Sequence, residues 1–162
     1  EPVPPPEDPS RLVEGELGFI GKSSNVLDKI PEGITLTETE EAARFVKETG
    51  IDLLAPSVGN IHGIVKTGEP KLNIEKIREI AAVAGVPLVL HGASGNTDEE
   101  IRRAIDAGIR IVHINTELRL AYKEGLKEAI ESSEVAPYKF MREAVENMKE
   151  VVMKKLRLFN KL

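Results

Sequence analysis

The chain contains no cysteine. Neither a disulfide framework nor a thiolate centre can be built from it, so any metal ion would have to be held by imidazole and carboxylate groups. It also has no apolar stretch near the ~20 residues that a bilayer-spanning helix needs, and no positively charged segment leads into an apolar one as in a secretory signal. A cytoplasmic protein with no membrane partner is the default expectation. A basic excess is missing too. The formal net charge is −5 and no stripe of Lys and Arg stands out, which argues against a nucleic-acid partner.

With 162 residues, 41% of them hydrophobic and 30% charged, the chain suits one soluble domain with a real core. It opens on Glu1-Pro2-Val3-Pro4-Pro5-Pro6-Glu7-Asp8-Pro9. Proline removes backbone donors and the acidic groups repel one another, so residues 1–11 read as a disordered leader or linker ahead of a domain over 12–162. From Leu12 the pattern is regular: an apolar run, a glycine-rich corner, a helical stretch, then the next apolar run. That is the rhythm of repeated β-α units.

The units can be laid out coarsely. A strand over 12–17 precedes a long loop through Lys22-Ser23-Ser24 and Pro31-Glu32-Gly33, then a helix capped near Thr37 with Glu40 placed for a capping box. Ala42, Phe45 and Val46 would form its buried stripe. A strand over 52–56 enters the corner Ser57-Val58-Gly59-Asn60-Ile61-His62-Gly63, and a helix over 73–84 presents Ile74, Ile77 and Ile80 at helical spacing. A strand over 86–90 enters a second corner, His91-Gly92-Ala93-Ser94-Gly95. Asn96-Thr97-Asp98-Glu99-Glu100 then starts a helix for 101–107, and 109–114 is a final strand. Thr116 opens the next helix. The tail over 137–159 reads as one long helix with Met141, Val145, Met148, Val152, Leu156 and Phe159 on the face that covers the barrel or a partner subunit.

Each corner places a histidine before a glycine at the end of an apolar run. If the runs are parallel strands of one barrel, both imidazoles face the mouth where (β/α) barrels keep their chemistry, which is how a metal site is assembled. Either histidine alone would more simply bond a backbone carbonyl; two at matching strand ends favour ligation. The fold expected is α/β, a barrel of TIM type. About four units are present, half of an eight-unit barrel that typically needs ~250 residues. Such a half leaves open sheet edges and apolar surface, so pairing is expected with a missing N-terminal half or a second copy as a homo-oligomer.

Four segments carry a resemblance: Val13-Glu14-Gly15-Glu16-Leu17-Gly18, Gly59-Asn60-Ile61-His62-Gly63-Ile64-Val65-Lys66, Leu90-His91-Gly92-Ala93-Ser94-Gly95 and His113-Ile114-Asn115-Thr116-Glu117-Leu118. In order and spacing they resemble the motifs of the class II, zinc-dependent fructose-bisphosphate and tagatose-bisphosphate aldolases. The resemblance implies that His62 and His91 bind the catalytic zinc, with Glu16 as an alternative ligand. It further implies that Gly63, Lys66, Gly92, Ala93 and Ser94, together with His113, Ile114, Asn115 and Thr116, contact the phosphorylated ketose. Small residues let backbone amides approach a phosphate, and a helix N-terminus at Thr116 favours an anion.

The chain departs from the family's pattern in three places. His113 stands where most members have a substrate-binding asparagine, so either the histidine takes that contact or Asn115 does. Lys22-Ser23-Ser24 replaces a glycine and acidic residues in a catalytic loop. The family's Asp-His pair, with a third zinc histidine and the acid/base aspartate, has no counterpart, so the general acid/base is expected in the missing N-terminal half. The implied activity is that of an aldehyde-lyase of carbohydrate metabolism. It cleaves a ketose 1,6-bisphosphate reversibly to dihydroxyacetone phosphate and glyceraldehyde 3-phosphate, with zinc polarising the carbonyl. The alternatives are a non-catalytic half-barrel module that assembles or binds phosphate, and another metal-dependent barrel enzyme acting on phosphosugars.

Overall fold

The computed structural model describes residues 11–23, 25–68 and 70–162. The proline-rich leader expected over 1–11 falls, apart from Arg11, outside the described residues, as does Ser24. The described chain forms two compact units, one reaching to His113 and one over Ile114–Leu162.

The first unit is built on four strands: β1 (Glu14–Leu17), β3 (Leu53–Pro56), β5 (Leu88–Leu90) and β6 (Ile109–Val112). They form one sheet in the order β1-β3-β5-β6, every pair parallel. A doubly wound sheet reverses its strand order at a switch point, whereas this order never reverses, as in a barrel wall. The central strands read as continuous apolar runs because both their faces are covered, and β5 is buried throughout. Helices α1 (Thr39–Thr49), α2 (Ile74–Ala84) and α3 (Asp98–Ala107) fall between successive strands and pack side by side in chain order. The expected Ile74, Ile77 and Ile80 line the buried side of α2. Ile77 and Ile80 are fully buried, each contributing roughly 1.5–3 kcal/mol of apolar burial.

The helix starts follow local chemistry in two cases out of three. Asn73 caps α2 by accepting from Lys76 N, and Thr97 with Glu100 closes a full capping box on α3. The third is corrected. Thr37 does not cap α1, whose N-cap is Glu38 with no side-chain bond. The buried Thr37 hydroxyl instead donates to Leu17 O at 2.7 Å and accepts from Ser57 N at 2.9 Å, tying the ends of β1 and β3 together.

A short parallel ribbon escaped the sequence reading. β2 (Val26–Leu27) and β4 (Ile64–Val65) pair Val26 with Ile64 and Leu27 with Val65, joining the loop after β1 to the segment that follows His62. Two residues carry no visible alternation, so periodicity cannot find such a strand.

The second unit contains α4 (Thr116–Glu131), α5 (Pro137–Phe140) and α6 (Arg142–Phe159). The single helix expected over 137–159 is therefore two. Met141, right-handed but with ψ of −8°, is a turn residue between them. The buried face also differs. Val145, Val152 and Leu156 are exposed, while Ala144, Lys155 and Leu158 are covered. At about 100° per residue the covered line lies roughly 80° round the helix from the stripe predicted. The reason is contact with α4: a Cβ at Gly125 would come within 2.6 Å of Ala144 Cα, so the two backbones nearly touch there. Lys155 is carried into this contact and pairs with Glu117 at 2.9 Å. Among the described residues no helix is long and apolar enough to cross a membrane.

Candidate functional site

Three strand ends deliver the three histidines. His91 follows β5 directly and His113 follows β6 directly, while His62 lies six residues beyond the last residue of β3. Their backbones are pinned: His62 N donates to Ile20 O at 2.8 Å and His113 N to Leu90 O at 2.9 Å. All three thus stand past the C-terminal ends of parallel strands, the end at which barrel enzymes place their chemistry.

Strand alternation supplies the acids. Glu14 and Glu16 are two apart on β1 and share one face of the sheet. Glu16 lies in register with Ala55 on β3, whose methyl leaves the carboxylate room to reach across to β5. Both acids converge on one ring. His91 Nδ1 lies 2.8 Å from Glu16 Oε2, and His91 Nε2 lies 2.6 Å from Glu14 Oε1. The His91 side chain is only 17% exposed between them. Its ring is tilted by 33° to that of His62 with centroids 6.3 Å apart, and stacks on that of His113 at 4.9 Å and 18°.

Two overlapping donor sets result. Glu16, His62 and His91 form one, Glu14, His91 and His113 the other, and in each the ligand atoms lie within 4.8 Å of one another. The chemistry of the donors fits zinc, which takes imidazole nitrogen and carboxylate oxygen and in catalytic centres uses three protein ligands with an open position. A neutral imidazole donates to one of the two carboxylates and an imidazolium to both.

The sequence reading named His62, His91 and Glu16 but missed two residues. Glu14 was detectable as the other half of a Glu-x-Glu pair on one strand face. Asn60 was not. It is fully buried in the first corner, accepts from Val58 N at 2.8 Å and donates to the carbonyl of His91 at 2.9 Å. No local pattern announces a partner 31 residues away.

The residues expected at a phosphate are placed as follows. Gly92 has φ of +58°, and a Cβ there would collide with the Ile61 carbonyl, so the second corner is pressed onto the first. Gly63 is buried, close to the carbonyl of Asn25. Ala93 is buried and its N–H donates to His113 O at 3.2 Å, so this amide is not open as expected. Ser94 is buried. Lys66 follows β4 and its ammonium pairs with Asp28 at 2.8 Å in an exposed position. Ile114, Asn115 and Thr116 belong to the second unit, where Asn115 is the N-cap of α4 without a side-chain cap bond and Thr116 is its buried first residue.

The profile described as "Fructose-bisphosphate aldolase class-II" matches residues 10–162. The chain is 38% identical over 149 residues to fructose-bisphosphate aldolase of Staphylococcus epidermidis, and 37% identical over 149 residues to that of Geobacillus stearothermophilus. Each match takes in 91% of this chain and 51% of the relative, so the chain spans about half the length of the curated relatives it matches. Among solved structures, the YdjI aldolase of Escherichia coli K12 superposes with a TM-score of 0.75 at 37% identity, over 91% of this chain and 49% of that one. A putative fructose-1,6-bisphosphate aldolase of Coccidioides immitis gives 0.75 at 27% identity, over 91% and 51%. Sheet, corners and relatives agree on a TIM-type fold, and the chain belongs to the class II fructose-bisphosphate aldolase family.

Proposed function

We propose that this chain supplies half of a class II aldolase barrel and, completed by a second polypeptide segment, takes part in the reversible aldol cleavage of a ketose 1,6-bisphosphate to dihydroxyacetone phosphate and glyceraldehyde 3-phosphate. The observation that carries the reading is the convergence of Glu16, His62 and His91 from three separate strand ends onto one donor set. A zinc ion held there would supply Lewis acidity at the ketose carbonyl. The chain's own residues would do the rest of the binding. The Gly63, Gly92 and Ser94 segments would form the small-residue surface for a phosphate, and Lys66 would exchange Asp28 for it. His113, beside the ring of His91, would be a polar contact for the sugar; Ile114, Asn115 and Thr116 are assigned to the ketose on the family resemblance alone. The domain reading over 12–162, with the acid/base aspartate outside this chain, is part of the same proposal. It is supported by the half-length match and by β1 and β6, each with a single sheet neighbour among the described residues.

The test is cleavage of fructose 1,6-bisphosphate by the purified chain, alone and mixed with the N-terminal half of a family member, with and without chelator. Little turnover alone and chelator-sensitive turnover in the mixture are expected. Phosphate-ligand binding without zinc dependence, and no turnover in any mixture, would instead identify a non-catalytic half-barrel module.

A further inference from the structure

We propose that Lys155 of α6 is a positioning residue for the ketose-contact segment at the start of α4, acting through Glu117. The inference rests on the reading of Ile114, Asn115 and Thr116 as ketose contacts. It goes further by naming the two groups, outside that segment, that hold it in place.

Three observations carry the assignment. First, the pair is covered and joins two helices. Lys155 is 5% exposed, and its ammonium lies 2.9 Å from the carboxylate of Glu117, a side chain 22% exposed. The pairs Lys127–Glu124, Lys139–Glu134 and Lys149–Glu146 are far more open and link residues close together in the chain. Replacing a covered pair by apolar groups of similar volume is often neutral or stabilising, because desolvation offsets the attraction. What this pair adds is therefore geometry. Second, it gives α4 and α6 a second fixed point. At the first, a Cβ on Gly125 would meet Ala144 Cα at 2.6 Å. Close packing of that kind sets the distance between two helices, and a charge-assisted hydrogen bond adds direction. Glu117 stands eight residues before Gly125, about 12 Å along the helix, so the pair keeps α4 from sliding or turning about the first point. Third, α4 starts without the side-chain cap that Asn73 gives α2 and Thr97 gives α3. Glu117 directly follows Thr116 in that first turn, so the start of α4 is held from α6. Lys155 also balances the carboxylate of Glu117, which would otherwise oppose a phosphate at this helix end.

The experiment titrates the whole zinc-loaded chain, labelled with nitrogen-15, with dihydroxyacetone phosphate. It compares the parent, Asn115→Ala and the double variant Lys155→Met with Glu117→Gln, which removes the link without leaving a buried charge. Zinc affinity, circular dichroism and the urea midpoint are measured on the same samples. In the parent, the amide signals of Asn115 and Thr116 should shift with the ligand, and Asn115→Ala should bind it more weakly. The double variant should keep the zinc affinity and the spectrum of the parent, with a midpoint close to it. It should nevertheless bind dihydroxyacetone phosphate about 10-fold more weakly, because misplacing a binding group by about 1 Å is felt as a loss of this order or more. Parent-like affinity for dihydroxyacetone phosphate in the double variant would overturn the inference and leave the segment's assignment intact. Equal losses of zinc and of dihydroxyacetone phosphate would overturn it as well, by showing that the pair braces the whole chain. A parent that binds no dihydroxyacetone phosphate, or binds it without a response at Asn115 and Thr116, would overturn the reading of the segment and this inference with it.

Discussion

Asn60 holds the two histidine corners together through His91: its Nδ2 donates to the His91 carbonyl at 2.9 Å while its Oδ1 accepts from Val58 N at 2.8 Å. One fully buried amide thus satisfies a donor in the first corner and an acceptor in the second. Replacing Asn60 with Ala orphans both, and each buried unsatisfied group costs about 1–3 kcal/mol. The expected outcome for Asn60→Ala is a lower denaturation midpoint together with weaker zinc binding, because the backbone that carries the His91 ring loses its tether. A stability loss without any change in zinc affinity would show that Asn60 braces the fold and not the site.

Gly92 cannot take a side chain. Its φ is +58°, and a Cβ would run into the carbonyl of Ile61, the residue before His62. Left-handed strain and overpacking each cost on the order of 1–3 kcal/mol, so Gly92→Ala should destabilise the chain by about 3 kcal/mol and push the two histidines apart. Urea denaturation and zinc titration of the same variant check both parts.

Gly125 answers to packing alone. Its added Cβ would meet Ala144 Cα at 2.6 Å and Glu143 O at 2.7 Å, all backbone atoms that cannot swing aside. Alanine is the better helix former by about 1 kcal/mol, yet the collision should prevail and Gly125→Ala should lower stability by about 1–2 kcal/mol. A stabilised Gly125→Ala chain, read from its thermal midpoint, would mean that α4 and α6 do not approach closely in solution.

Lys155 is a buried cation that pairs with Glu117 at 2.9 Å. Removing it by Lys155→Ala leaves a cavity and a partly covered carboxylate. Breaking a buried pair costs about 3–5 kcal/mol, and the 22% exposure of Glu117 puts the expected loss near the lower end, about 3 kcal/mol. The double variant Lys155→Met with Glu117→Gln should recover most of that stability. Comparing denaturation midpoints of the two chains decides it.

Lys76 bridges the N-cap residue of α1 and the body of α2, pairing with Glu38 at 3.2 Å and Glu79 at 3.3 Å. Hydrogen bonds to Glu38 and then Glu79 hold its pKa above the ordinary lysine value of 10.5. A raised folded-state pKa means that the unfolded chain loses this proton first. The stabilisation is therefore complete below about pH 10.5 and disappears as pH rises through the folded value. Lys76→Met should remove that part of the alkaline stability loss, seen as a flatter midpoint against pH above 10 in ~0.1 M salt, where screening still leaves close pairs intact.

The strand-helix rhythm, the two His-Gly corners and the caps at Asn73 and Thr97 were legible in the chain itself. They depend on neighbours a few residues apart: alternation, helical spacing, a glycine at a turn, a hydroxyl three residues before a glutamate. The family motifs point to His62, His91 and Glu16 for the same reason, since each belongs to a segment with its own local signature. What periodicity cannot state is which surface a given face will meet. Thr37 has the residue type of a cap but is drawn between Leu17 and Ser57 because two parallel strand ends lie beside it. The stripe from Met141 to Phe159 is the most apolar line on its helix, yet Ala144, Lys155 and Leu158 are the covered residues, because Gly125 lets α4 press against that side. Glu14 and Asn60 acquire their roles from His91, 77 and 31 residues away in the chain. Sequence determined the order of strands and helices and the local caps; the tertiary structure alone decided which groups become partners, since a hydrogen bond or a close backbone contact forms only between groups that the fold brings within about 3 Å.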